Sequence, residues 1–149
     1  NNFGPRQYPE KFIPKTIMHA LMDKKIPVYG NGQAVRTWMY VMDFCHAILA
    51  VLEQGMPGEI YNIGSNLEIT NLELARNIVR DLGKSESLIE FVSDRPGHDM
   101  RYSLDSTKFC SQFNWKESQF KSALVNTMTW YKQHLGYYQK IIDKEEQNT

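Results

Sequence analysis

The residues best suited to chemistry in this chain lie in one run, Asp94-Arg95-Pro96-Gly97-His98-Asp99-Met100-Arg101-Tyr102-Ser103-Leu104-Asp105. It holds two arginines, a histidine and three carboxylates, and its central Pro-Gly pair excludes a helix interior or a central strand. Such a loop suits the grip of an anion. Arg95 offers a planar fork for two phosphate oxygens, His98 can donate to an oxygen, and Asp94 and Asp99 can orient those donors from behind. The competing reading is a solvated connection between a strand and a helix, and the loop alone does not decide between them.

Other segments add to the first reading. Within Val35 to Val41, alternation puts Arg36 on one face with Trp38 and Tyr40. Thr70-Asn71-Leu72-Glu73 is a capping box, which sets Asn71 in a first helical turn where free amides favour negative charge. Lys11, Arg36, Arg95 and the amides near Asn71 therefore form a candidate anion site. Tyr29, Trp38 and Phe12 are candidate stacking surfaces for a base, with Trp38 assigned to the core. Metal binding gains no support, because His19, His46, His98 and His134 are scattered and Cys45 and Cys110 are isolated. Neither a Gly-x-Ser-x-Gly nor a Gly-x-Gly-x-x-Gly motif occurs; Gly30-Asn31-Gly32 continues as Gln33-Ala34-Val35. The residues point to a binding surface rather than to a reaction.

The elements that must position these residues follow from spacing. A helix starts at Pro9-Glu10-Lys11, carries Ile13, Ile17, Ala20 and Leu21 on one stripe and ends near Lys24-Lys25. Pro27 to Tyr29 and Val35 to Val41 read as strands joined through a glycine turn, a hairpin or a looser pair. Asp43 caps a helix bearing Phe44, Ala47, Ile48, Val51 and Leu52, which stops at Gly55 and Pro57-Gly58. Glu59 to Gly64 is expected to be a strand, and Thr70 to Gly83 a helix carrying Ala75, Ile78, Val79 and Leu82 inward. Leu88 to Val92 is a strand, Arg101 to Leu104 is extended, and Asp105-Ser106 caps a short helix to Phe113. A last helix runs from about Ser118 to Leu135, with residues 136–149 expected to fray. The order predicts a mixed α/β fold whose short strands make no complete sheet.

Seventeen basic residues balance seventeen acidic ones, so no global field draws in nucleic acid or an anionic membrane, and any anion site must be local. No run approaches the roughly 20 apolar residues of a membrane span. The two cysteines sit in apolar helical patterns where buried thiols are common, which points to a reducing, cytoplasmic setting. The opening Asn1-Asn2-Phe3-Gly4-Pro5 reads like the continuation of a longer protein.

Taken together, Asn1 to Pro5, Pro9-Glu10-Lys11-Phe12-Ile13-Pro14, Pro27 to Gly32, Val35 to Asp43, Gly58 to Gly64 and Asp94-Arg95-Pro96-Gly97-His98-Asp99 resemble the dTDP-glucose 4,6-dehydratases, nucleotide-sugar enzymes of the extended short-chain dehydrogenase/reductase family. The likeness runs in order from residue 1 to about Leu135, and Trp130-Tyr131 also fits. It departs at Met42 and Phe44, where the family tends to have an acidic residue and a histidine, and in the helix of Cys110.

The resemblance implies a mainly helical carboxyl-terminal substrate domain, residues 1–135, with short strands and no complete Rossmann sheet. The family's NAD-binding Rossmann domain and its catalytic residues would lie elsewhere; no tyrosine here is followed four residues later by lysine. It implies that Asn1 meets the sugar or its diphosphate and Asn2 the NAD. Lys11 and Phe12 would lie along the nucleotide, and Pro27, Val28 and Tyr29 would hold the base. Arg36 and Arg95 would clamp the diphosphate, with Asn71 and His98 closing the site and Asp94, Pro96 and Gly97 completing the loop. The implied ligand is dTDP-glucose or a related nucleotide sugar, and the implied whole enzyme a homodimer. A chain inactive alone, with apolar surface left bare on the helix from Met42 and at Glu59 to Gly64, is expected to self-associate or be partly loose. The remaining alternatives are another nucleotide-sugar epimerase, dehydratase or decarboxylase, or a non-catalytic module that binds a nucleotide sugar or a partner.

Overall fold

The computed structural model describes residues 1–147, with side chains as far as Ile142. In chain order the elements are β1 (Asn2–Phe3), α1 (Phe12–Leu21), β2 (Ile26–Tyr29), β3 (Val35–Thr37), β4 (Met39–Tyr40), α2 (Val41–Gln54), β5 (Glu68–Thr70), α3 (Asn71–Asp81), β6 (Ile89–Val92), β7 (Arg101–Tyr102), α4 (Thr107–Phe113), α5 (Phe120–Gln133) and α6 (Leu135–Gln147). The fold is mixed α/β and mainly helical. Its strands form small separate sheets, with no complete Rossmann sheet among the described residues.

Helix α1 is the centre of the core. Ile13, Ile17 and Ala20 are fully buried, as their spacing predicts, and α1 packs against both α3 and α5. Pro14 is tolerated because a first-turn residue has no intrahelical acceptor to lose. Leu74 and Ile78 of α3 and Leu124, Met128 and Tyr131 of α5 complete the cluster. Each such side chain contributes about 1.5–3 kcal/mol through burial.

The strands position the site. β2 pairs with β6 in parallel, Ile26 opposite Ile89 through Tyr29 opposite Val92, so the end of β6 delivers the 94–99 loop beside Tyr29. β3 pairs antiparallel with β5 and parallel with β7. The expected β2–β3 hairpin is therefore absent. Gly30 and Gly32 do take the left-handed conformation, but they turn the chain away to other partners. β1 pairs with β4, which brings Asn1 and Asn2 alongside Thr37 and Met39.

Several expectations are corrected. Residues 136–147, expected as a frayed tail, are helical. They belong to α6, whose Tyr138 and Ile142 stand one turn apart and bury against the core. Residues 148 and 149 lie outside the described residues. Glu59 to Gly64 is not a strand, since nothing described pairs with it, and Ile60 stays exposed. Asp43 does not cap α2; it is buried in the first turn and accepts from the Ser118 amide at 2.9 Å and hydroxyl at 2.7 Å, tying α2 to the approach to α5. On α2 only Ala47 among the apolar residues is buried, while Ile48, Leu49 and Leu52 face out, as the bare-surface expectation requires. Cys45 is exposed and Cys110 half-buried, so neither thiol is the core residue expected. Burial, ahead of Glu117 and Asp105, pushes the Cys110 thiol up.

Candidate functional site

Alternation along β2 sends Ile26 and Val28 into the core and turns Pro27 and Tyr29 towards an open cavity of about 420 Å³. The start of α1 adds Lys11, Phe12 and Lys15 to its wall, β3 adds Arg36, and the start of α3 adds Asn71. Asn1, Asn2, Arg95 and His98 complete the side nearest the loop. A second cavity of about 440 Å³ shares Asn1, Arg36, Arg95 and His98 and is walled by Pro96, Gly97, Asp99 and Tyr102. Arg36, Arg95 and His98 therefore stand between two connected spaces.

Arg36 is held firmly. Its Nη1 donates to the Val35 carbonyl at 2.7 Å, and its Nη2 donates to the Asp99 carbonyl at 2.7 Å and faces His98 Nε2 at 2.9 Å. A guanidinium has no acceptor, so Nε2 must present its lone pair and the proton of His98 must sit on Nδ1. That proton points at Asp94 Oδ1, 2.7 Å away, an oxygen that also accepts from the Arg95 amide at 2.8 Å. His98 holds Asp94 below the usual carboxylate range, with the Arg95 amide adding to it. The arrangement has the outline of an acid–histidine relay, but its far end is a donor. No nucleophile is activated by it.

Arg95 lies over the ring of Tyr29, 5.0 Å from the centroid, and His98 meets that ring edge-on at 6.3 Å. Gly30 makes this closeness possible. Its φ is +57, and a Cβ there would stand 2.8 Å from Asp94 Oδ2. On the opposite wall Phe12 stacks with Trp38 at 6.0 Å. The loop, the two arginines and the Phe12–Trp38 pair can grip a flat polar group joined to a doubly charged anion, with charge-assisted bonds roughly twice as strong as neutral ones.

A family model described as GDP-mannose 4,6 dehydratase matches residues 1–128. The chain belongs to the GDP-mannose 4,6-dehydratase family. Within it, the dTDP-glucose 4,6-dehydratase of Escherichia coli is 39% identical over 155 aligned residues, covering 96% of this chain and 43% of that protein. The low-salt glycan biosynthesis protein Agl12 of Haloferax volcanii is 49% identical over 132 residues, 88% of this chain and 42% of that one. The crystal structure of the Bacillus anthracis dTDP-glucose 4,6-dehydratase in complex with NAD superposes with a TM-score of 0.88 at 43% identity, covering 94% of this chain and 44% of that one. The chain thus spans less than half the length of these relatives.

Most of the residues singled out from sequence meet in the first cavity of this family member: Asn1, Asn2, Lys11, Phe12, Pro27, Tyr29, Arg36, Asn71, Arg95 and His98. Val28 does not. Its side chain is buried, because strand alternation points it away. Asp94 lines neither cavity and acts on Arg95 and His98 from behind, while Pro96 and Gly97 line the second space. The free amides expected at Asn71 are not free. Asn71 N donates to Ala34 O and Leu72 N to Gly32 O, both at 3.0 Å, and Glu73 N donates to Thr70 Oγ1. The helix start is spent on fixing the glycine turn, so Asn71 offers its side chain alone. Trp38 is buried as expected yet also walls the cavity.

Gln7, Glu10 and Lys15 also line it and were not singled out. Lys15 could have been found, since it lies one turn beyond Lys11 on the same helix face. Gln7 could not: it is fixed by Tyr131, whose hydroxyl donates to its carbonyl at 2.6 Å across 124 residues of chain.

Proposed function

We propose that this chain forms the nucleotide-sugar-binding portion of a dTDP-glucose 4,6-dehydratase, the enzyme class that converts dTDP-glucose to dTDP-4-keto-6-deoxyglucose with NAD. The observation that carries the reading is the convergence of Arg36, Arg95 and His98 between two cavities, in a chain whose relatives include dTDP-glucose 4,6-dehydratases. The nucleoside enters the first cavity against Pro27, Tyr29, Phe12 and Lys11. The diphosphate lies across Arg36 and Arg95, and Asn1, Asn71 and His98 close on it. These remote contacts supply binding energy that orients the sugar at the reacting centre.

The residues described here do not make a dinucleotide site. The glycine turn at Gly30 to Gly32 leads into a strand, so no helix start is offered to a pyrophosphate. Asn2, exposed at the cavity rim, is the one residue assigned towards NAD, and the chain alone is inactive in this reading. A cytoplasmic, homodimeric whole enzyme belongs to the same proposal; no helix among the described residues is long and apolar enough to cross a membrane.

Calorimetric titration of the chain with dTDP and with UDP tests it. Saturable binding that favours dTDP and falls at least tenfold in Arg95→Ala supports the reading. Preference for UDP would move the chain to another nucleotide-sugar enzyme, and no binding by the folded chain would defeat the proposal.

A further inference from the structure

The hydrogen bonds of Arg36 carry a consequence for how an anion is captured, and it rests on the nucleotide-sugar reading above. A guanidinium has two faces that can hold two oxygens of a phosphate at once. One uses Nε–H with an Nη2–H, the other an Nη1–H with an Nη2–H. Both require Nη2. In this structure both Nη2 protons are engaged, one towards His98 Nε2 at 2.9 Å and one on the Asp99 carbonyl at 2.7 Å. Neither face is open. His98, nine-tenths buried, serves as the acceptor that occupies one of these protons.

We propose that His98 is a proton-coupled latch on Arg36: neutral and accepting from Nη2 in the free protein, it yields that N–H to a phosphate oxygen when a diphosphate binds and takes up a proton from solvent. No covalent bond changes. The Nη2 proton stays on Arg36 and only its acceptor differs. The lone pair released on Nε2 is then protonated, and the new N–H donates to the phosphate while Nδ1–H remains on Asp94. Imidazolium is favoured there because it lies between the Asp94 carboxylate and the bound anion. In the free protein the same charge would set an N–H against the Arg36 N–H at 2.9 Å.

The other groups around His98 do not supply the proton linkage. Asp94, Arg95 and Asp99 come from its own loop, Arg36 from β3 and Tyr29 from β2. Carboxylates and guanidiniums as classes are charged at neutral pH, and phenols as a class are protonated there.

The test uses dTDP-glucose, whose phosphates are esterified at both ends and exchange no proton near neutrality. Its binding heat is measured at pH 7.5 in buffers of different ionisation enthalpy, for the chain and for His98→Gln. Uptake approaching one proton per ligand is expected, with affinity rising by up to about tenfold per pH unit on going from pH 8 to 7. The Gln variant should bind with that uptake lost. Independently of any ligand, nitrogen-detected NMR of the free chain at pH 7.5 should show His98 as the Nδ1–H tautomer. Binding without proton uptake, uptake unchanged in His98→Gln, or an Nε2–H tautomer in the free chain would each overturn the latch alone. Absence of all binding would overturn it together with the nucleotide-sugar reading.

Discussion

At the scale of single residues, the site depends on close approach between two segments far apart in sequence. Gly30 ends β2 and its amide donates to Val92 O at 2.9 Å, which locks the loop's root beside Tyr29. An alanine there would meet both a left-handed backbone and the Asp94 carboxylate at 2.8 Å. Gly30→Ala is expected to cost about 1–2 kcal/mol in urea unfolding from the backbone alone. It should also weaken nucleotide binding, because Asp94 must move and His98 with it. Unchanged stability and unchanged binding would show that the loop is not seated as described. The chemistry of Asp94 to His98 was legible in the sequence because Pro96-Gly97 marks a loop and the charged types mark a grip. The occupation of Arg36 was not, because two of its three partners, His98 and Asp99, depend on how β3 and the loop meet in space.

At the scale of elements, periodicity located α1, α3 and α5 because each has a continuous apolar stripe that tertiary packing then uses. Periodicity failed where partners decide the outcome. β2 and β3 resemble a hairpin locally, yet pair with β6, β5 and β7. α6 was missed because Tyr138 and Ile142 give too short a stripe amid charged residues. The α5 helix is tied to the first turn of the chain by the Tyr131 hydroxyl on Gln7 O. Burial pushes the Tyr131 phenol far above its ordinary range, with Tyr138 adding to it. A phenol whose pKa is raised on folding contributes stability that is fully present below its unfolded pKa, about 10, and is lost as pH rises beyond it. Tyr131→Phe should therefore destabilise by about 1–2 kcal/mol at pH 7, from the lost bond and the carbonyl left unpaired. It should also flatten the decline of stability above pH 10. A variant as stable as the parent, with the same alkaline decline, would contradict that role.

At the scale of the whole molecule, the chain combines a well-filled core around α1 with an apolar face left open to solvent. Ile48, Leu49 and Leu52 of α2 stand exposed beside Ile60, and a shallow cavity there is lined by Ile48, Val51, Leu52, Tyr61 and Ile63. A surface of this kind is costly in water. The family likeness was legible from ordered motifs over most of the chain, and the matched relatives are more than twice its length. In the proposed reading the nucleotide lies in the two cavities that Arg36, Arg95 and His98 share. The most direct test of that claim is a crystal structure of the chain with dTDP bound. Both phosphates are expected within hydrogen-bonding distance of Arg36 and Arg95, with the base against Pro27 and Tyr29 and His98 released from Arg36. Phosphates held elsewhere, with Arg36 still bonded to His98 and Asp99, would contradict it.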